Sequence, residues 1–238
     1  MYNTLDPYDL NSYRSIANLS FLSKTIERVV AARFNEHVES HNVLPSRQSA
    51  YRAHHSTETA VIDVHNSIVR NVDRGGHVSV LVLLDLSSAF DPVDHSILLE
   101  VLASVLMSLE SPSTGFAHTW MDERRHSMSE HNNQQHLLFT VAVCSLPQGS
   151  VLGALKFICY TEDLPAVIAQ HAIDHHLYAD DTQLSDEPPI TSVAILHREH
   201  QKCVEAVHVW CSSKRLQLNP SKSEIIWFGT RAKASTQH

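Results

Sequence analysis

The run Val78-Ser79-Val80-Leu81-Val82-Leu83-Leu84 is almost entirely apolar and closes on a carboxylate, Asp85. A strand exposed on one face would alternate polar with apolar residues; a run this short and continuous suits a strand covered on both faces. Such a strand needs packed layers on either side. At 238 residues and 43% hydrophobic content, the chain can supply them as one mixed domain or two closely packed subdomains.

The flanking segments predict those layers. From Phe21, the positions Leu22, Ile26, Val29, Val30, Phe34 and Val38 recur every three to four residues, which predicts an amphipathic helix ending near Val43-Leu44-Pro45. A second helix is expected to start at Ser56 as cap and run through Val61, Val64, Ile68 and Val72 until Gly75-Gly76 stops it. Residues His95 to Leu109 read as helical, whereas about 110–140 is rich in Ser, Pro, His and charge and reads as an irregular insert. Leu137 to Val143 suggests a strand, and Ile173 to Leu184 a hairpin tipped by Ala179-Asp180. Val193, Leu196, Cys203, Val207 and Trp210 mark one helix face, and Leu216–Asn219 and Glu224–Phe228 read as two closing strands around Pro220-Ser221. The expected class is α+β, an antiparallel sheet flanked by helices.

Several function classes lose support. No run reaches the roughly 18 apolar residues of a membrane helix, and Met1 to Asn18 is polar, so neither a membrane partner nor secretion is expected; an intracellular site, nucleus or cytoplasm, is. Cys144, Cys159, Cys203 and Cys211 form no CxxC pair and read as reduced and mostly buried, with no disulfide-linked partner. His54-His55 and His175-His176 lack helical i, i+4 spacing and cysteine partners, which disfavours a zinc site. The net charge of −8 has the wrong sign for gripping phosphate backbones and weighs against nucleic-acid binding.

Three carboxylates point to chemistry. Asp85 ends a buried strand, and Asp180 with Asp181 tips the downstream hairpin, so one fold can bring all three together. Clustered carboxylates repel unless cations join them, and hard divalent ions prefer such oxygen ligands. A pair of those ions can activate an attacking hydroxyl and stabilise a leaving oxygen in phosphoryl transfer. Taken singly, Asp-Asp at a turn is usually turn chemistry, and Asp after a strand is usually a helix cap.

Four motifs in order change that weighing: Leu84-Asp85-Leu86-Ser87-Ser88-Ala89-Phe90-Asp91, Leu146-Pro147-Gln148-Gly149-Ser150-Val151-Leu152-Gly153, Tyr178-Ala179-Asp180-Asp181 and Leu218-Asn219-Pro220-Ser221-Lys222. Together they resemble the reverse transcriptases of non-LTR (LINE-type) retrotransposons. The resemblance extends upstream to Leu5-Asp6, to Tyr13-Arg14-Ser15-Ile16-Ala17-Asn18-Leu19, and to Gln48-Ser49-Ala50-Tyr51-Arg52 with His55-Ser56-Thr57-Glu58. It implies a right-hand polymerase, with fingers-like residues 1–75 and palm-like residues 76–238. The implied activity is RNA-directed DNA synthesis: an RNA template, a DNA primer 3′-hydroxyl, deoxynucleoside triphosphates and two Mg²⁺ ions, or Mn²⁺ in their place.

On this resemblance Asp85, Asp180 and Asp181 are the metal ligands, with the Leu86 carbonyl completing coordination near the triphosphate. Phe90 is the aromatic gate that would clash with a 2′-hydroxyl. Gln148 and Gly149 line the nucleotide pocket, and Lys222 stands near the leaving pyrophosphate. Arg52, with Arg14 and Arg47, is a candidate contact to triphosphate or template, since guanidinium groups pair bidentately with phosphate oxygens. Each has a plainer alternative: a buried palm aromatic for Phe90, a turn for Gly149, a solvated loop lysine for Lys222 and surface ion pairs for the arginines.

Departures from the family pattern are equally specific. Ser15 stands where proline is usual, Ser145 where glycine precedes Leu146-Pro147, and Ala154 where proline follows Gly153. Thr119 to His126 resembles a shortened form of a longer aromatic and Arg-bearing segment. The residues after Phe228-Gly229 are too few for the family's thumb and no endonuclease segment precedes the motifs, so fingers and palm alone, and no autonomous retrotransposition, are expected. A catalytically inactive remnant, acting at most as a nucleic-acid-binding or interaction module, is the competing reading. A metal-dependent phosphodiesterase is a third, but it leaves Gln148 and Phe90 unaccounted for.

Overall fold

In the computed structural model, which describes residues 16–41, 43–52, 54–73, 78–107, 144–187, 189 and 192–229, the apolar run forms the central strand β1, Ser79–Leu84. It is buried along its length apart from half-buried Leu83, as a strand covered on both faces should be. The sheet has four antiparallel strands in the order β2-β3-β1-β4, where β2 is Asp174–Tyr178, β3 Asp181–Asp186 and β4 Glu224–Phe228. Around it lie helices α1 (Phe21–Ser40), α2 (Thr57–Asp73), α3 (His95–Met107), α4 (Val151–Tyr160), α5 (Leu164–Ala169) and α6 (Val193–Ser213). The expected α+β class with an antiparallel sheet flanked by helices is what the chain adopts. The strand expected at Leu137 to Val143, the irregular insert and the Gly75-Gly76 stop lie outside the described residues.

Side chains alternate between the faces of a strand, so the register sorts the sheet. Val80, Val82 and Leu84 share a face with Leu177 and Leu184, and this face joins Leu98, Leu102, Phe157, Ile158, Leu196 and Val207 in one hydrophobic core. Asp85, Asp181 and Tyr178 fall on the other face, at one end of the sheet. Burial also accounts for the thiols: Cys203 is pushed up to about 11, and Cys159 and Cys211 to about 12, so all three stay protonated. Cys144 alone is exposed. Among the described residues no helix is long and apolar enough to cross a membrane.

Two expectations need correction. The inward face of α1 is Glu27, Ala31, Phe34 and Val38, while Leu22, Ile26 and Val29 are exposed. The helix is rotated so that Glu27 reaches the start of α4, where its carboxylate accepts hydrogen bonds from the Ser150 hydroxyl and the Val151 N–H, each at 2.8 Å. Leu216–Asn219 is not a second closing strand. Leu218 bridges Leu86, the Ser87 N–H donates to the Gln217 carbonyl and the Asn219 N–H to the Asp85 carbonyl. This segment therefore contributes a single bridge to the residues that follow β1, and the turn Pro220–Ser223, which carries Lys222, separates it from β4.

Candidate active site

The site is built at the end of β1 by register. Leu84 pairs with Thr182 and Tyr178 with Asp181, so one further step brings Asp85 level with Asp181 at the hairpin base. The hairpin has a two-residue tip, Ala179-Asp180, and Ala179 takes it with φ +56°. That left-handed conformation is unfavourable by about 1–2 kcal/mol for a residue bearing a Cβ, so something must hold the tip. The Ala179 N–H donates to Gln48 Oε1 at 3.2 Å, and Gln48 is 1% exposed.

The electrostatics of the cluster are unbalanced. Partial burial pushes the Asp181 carboxyl above the usual carboxylate range, and the charges of Asp180 and Asp85 push it the same way, while Lys222 pulls it back. Lys222 Nζ stands 3.4 Å from Asp85 Oδ2, with its side chain 60% exposed. The contact is a charge pairing and no hydrogen bond, so Asp85 Oδ2 is a buried oxygen without a hydrogen-bond donor. An orphaned carboxylate oxygen beside two repelling carboxylates is the donor chemistry that a hard cation satisfies. The fit is one of donor type and charge: among the described residues no group of three or more His, Cys, Asp or Glu is gathered closely enough to hold a metal ion.

The sign of the Asp181 effect can be read directly. Its raised pKa means that folding disfavours the ionised form, so its contribution is favourable at acid pH and is lost as pH rises through the raised value. Asp181→Asn is therefore expected to raise stability slightly at neutral pH in metal-free buffer. Asp181 is exposed, so solvent screening limits the gain to below about 1 kcal/mol. Melting curves on both sides of the carboxylate range test this, and an equal gain at acid pH contradicts it.

The other candidates surround this cluster. The loop Ser145–Ser150 is tied to the turn after Asp85: the Leu146 N–H donates to the Phe90 carbonyl at 2.8 Å and the Ser145 N–H to the Val93 carbonyl at 3.0 Å. Phe90 is half-buried and stacks on Phe157, ring centroids 5.0 Å apart, so it is packed as a core aromatic at the site's margin. The Gln148 carbonyl accepts from the Ala17 N–H at 2.8 Å. Gly149 takes φ +97°, where an added Cβ would meet Ile16 Cγ2 at 3.3 Å and the Ala17 carbonyl at 3.4 Å. Leu86 is buried and bridges Leu218.

The arginines divide. Arg14 lies outside the described residues. Arg47 pairs with Asp174 at 3.1 Å across the surface. Arg52 Nη1 donates to the Pro45 and Gln48 carbonyls at 2.9 and 3.2 Å, bracing its own loop. Sequence reasoning missed Glu27 and Gln48 as site supports, since neither carries a signal until its distant partner is known. It also missed Tyr51, which takes φ +57° and whose hydroxyl pKa is raised by burial and then by the charges of Asp180 and Tyr178.

Ser145, which stands where glycine is usual in the resemblance, takes φ +93°. Its carbonyl accepts from His95 Nε2 at 2.8 Å, so the loop cannot relax without losing that contact. Ser145→Gly is expected to stabilise the protein by about 1 kcal/mol. Chemical denaturation reads the change, and a loss of stability refutes the strain.

The family model described as reverse transcriptase (RNA-dependent DNA polymerase) matches residues 6–235. A probable RNA-directed DNA polymerase from transposon BS of Drosophila melanogaster is 31% identical over 217 residues, covering 89% of this chain and 23% of that protein. The RNA-directed DNA polymerase from mobile element jockey of Drosophila funebris is 26% identical over 228 residues, covering 93% of this chain and 24% of its own. The chain thus spans about a quarter of the length of these curated relatives. Among solved structures, telomerase from Candida albicans in complex with a fragment of telomeric RNA matches with a TM-score of 0.46 and 12% identity, covering 86% of this chain and 34% of that one.

Proposed function

Since this chain belongs to the reverse transcriptase (RNA-dependent DNA polymerase) family, in its non-LTR retrotransposon branch, we propose that it joins deoxynucleoside triphosphates to a primer 3′-hydroxyl on an RNA template. The observation that carries the reading is the register that sets Asp85 level with Asp181, beside the Asp180 tip and facing Lys222. Residues 1–75 then serve as fingers and residues 76–238, which include the four-stranded sheet, as palm.

In this reading Asp85, Asp180 and Asp181 would hold two Mg²⁺ ions. When bound, these supply the positive charge that stabilises the attacking and leaving oxygens. The protein's own part is positional and electrostatic. Lys222, largely exposed beside Asp85, would offset the developing negative charge of the departing pyrophosphate. Gly149, at a positive φ that lets the loop lie close to Ile16 and Ala17, shapes the nucleotide pocket with Gln148 beside it. Phe90, fixed by its stack on Phe157, forms the floor under the incoming sugar and disfavours a 2′-hydroxyl.

A second reading, a catalytically inactive remnant, is favoured by one observation: among the described residues no group of three or more His, Cys, Asp or Glu is gathered closely enough to hold a metal ion. Primer extension on an RNA template with Mg²⁺ and deoxynucleotides separates the two. Extension supports the polymerase; none under any cation or salt condition, from a chain shown to be folded by circular dichroism, supports the remnant. Degradation of the nucleic acid without extension points instead to phosphodiester hydrolysis.

A further inference from the structure

We propose that Gln48 is a positioning residue that latches the tip of the carboxylate hairpin to the arginine-bearing segment Arg47–Arg52, so that the placement of Asp180 and Asp181 depends on that segment. The inference rests on the polymerase reading for its catalytic consequence but not for its structural one.

Gln48 is a polar side chain buried to 1% exposure, and burial of that kind persists only with partners. Its Oε1 accepts two backbone N–H groups from different parts of the chain, Ala50 at 2.9 Å within its own loop and Ala179 at 3.2 Å on the hairpin tip. Ala179 immediately precedes Asp180 and is the residue held at φ +56°. The latch continues along the backbone. Leu177 donates to the Arg47 carbonyl at 2.9 Å, Ser49 donates to the Leu177 carbonyl at 3.0 Å, and Gln48 bridges Leu177 in parallel. The segment is thus a one-bridge extension of the sheet beyond β2, with the Gln48 amide at its inner end.

The same segment carries Arg52, whose guanidinium closes the loop onto the Pro45 and Gln48 carbonyls, and Tyr51, near enough to Asp180 to feel its charge. A group drawn to Arg52 or Tyr51 therefore pulls on a loop joined to β2 by two backbone hydrogen bonds at Leu177 and to the hairpin tip by the Gln48 amide oxygen. No side-chain hydrogen bond other than that of Gln48 is found on the Ala179 N–H among the described residues. Loss of the acceptor frees a strained tip, and a displacement of the order of 1 Å at a reacting centre lowers turnover by about 10²-fold.

The test uses the full chain with Gln48→Leu, which removes the acceptor at similar volume, and Gln48→Glu, which restores an oxygen at the same reach. Amide hydrogen exchange at Ala179 and Ala50 is read first, without substrate. Gln48→Leu is expected to accelerate exchange at both about tenfold, and Gln48→Glu to keep most of the protection. In primer extension, Gln48→Leu is expected to lower kcat by about 10²-fold with KM for the nucleotide within about threefold, and Gln48→Glu to recover at least a tenth of the original kcat. Unchanged exchange at Ala179 in Gln48→Leu overturns the latch, as does extension by that variant at the original kcat. If Gln48→Leu does not fold, Gln48→Glu decides: lost protection at Ala179 in a folded Gln48→Glu protein overturns the proposal. If the unsubstituted chain extends no primer, the polymerase reading falls, while the exchange measurements still judge the latch.

Discussion

Asp85→Asn is expected to reduce RNA-templated primer extension by at least about 10³-fold while leaving the fold intact. The magnitude follows from the proposed polymerase role, in which the three carboxylates would gather cations at the reacting oxygens; electrostatic stabilisation of that kind is usually the largest single contribution to such a reaction. The fold survives because Asp85 sits past the end of β1, is joined to the next segment through its backbone carbonyl, and has its carboxylate oxygen Oδ2 without a hydrogen bond to lose. A second readout distinguishes loss of charge from loss of structure. Asp85 is one of the charges that push Asp181 upward, so in Asp85→Asn the Asp181 carboxyl should titrate at lower pH than in the unsubstituted protein. Carbon-detected NMR of the Asp181 carboxyl follows this. An Asp181 titration that does not move means that the two carboxylates do not share a site, whatever happens to activity.

That pairing was legible from the chain because its two halves are local. A continuous apolar run ending in Asp85 and an alternating hairpin tipped by Ala179-Asp180 each announce themselves, and an antiparallel sheet has few ways to arrange both. Features that depend on a distant partner were not legible. In helix α1 apolar periodicity finds Phe34 and Val38 on the inward face but misplaces the N-terminal half, because it cannot count a glutamate whose ligands, Ser150 and Val151, are far along the chain. Helices α4 and α5 were not expected, since they are short, ten and six residues, and a short apolar run does not tell helix from strand. The turn that carries Lys222 reads as a link between two strands until Leu218 is seen to make a single bridge, to Leu86, and β4 to pair with β1. Ser145 is the instructive opposite. Its mismatch with the family pattern was visible in the sequence, and its left-handed backbone supplies the physical reason for the usual glycine.

Glu27→Leu is expected to destabilise the protein by about 2–4 kcal/mol, the largest stability effect of a single polar change in this site. Glu27 is 7% exposed, so its carboxylate is maintained by its partners and little by water. One oxygen accepts from the Ser150 hydroxyl and the other from the Val151 N–H, and Ser150 in turn accepts from the Gly153 N–H at 3.0 Å as the N-cap of α4. The carboxylate thus satisfies one of the first orphan N–H groups of α4 directly and orients the hydroxyl that satisfies another, with its charge at the positive end of the helix dipole. Charge-assisted hydrogen bonds of this type contribute about 1.5–3 kcal/mol each, and leucine leaves both half-buried donors without that acceptor. Glu27→Gln keeps one acceptor oxygen and should lose about half as much. Urea denaturation is the measurement: a lower midpoint with an unchanged slope identifies a loss of native-state stability. The consequence reaches the nucleotide side of the site, because the residue before Ser150 is Gly149, packed against Ile16 and Ala17 at the entry to α1. Without the clamp, α1 and the Gln148 loop lose the contact that fixes their spacing, and KM for the nucleotide should rise more than kcat falls. A Glu27→Leu protein within about 1 kcal/mol of the original stability would show that α4 holds its own N-terminus without the carboxylate.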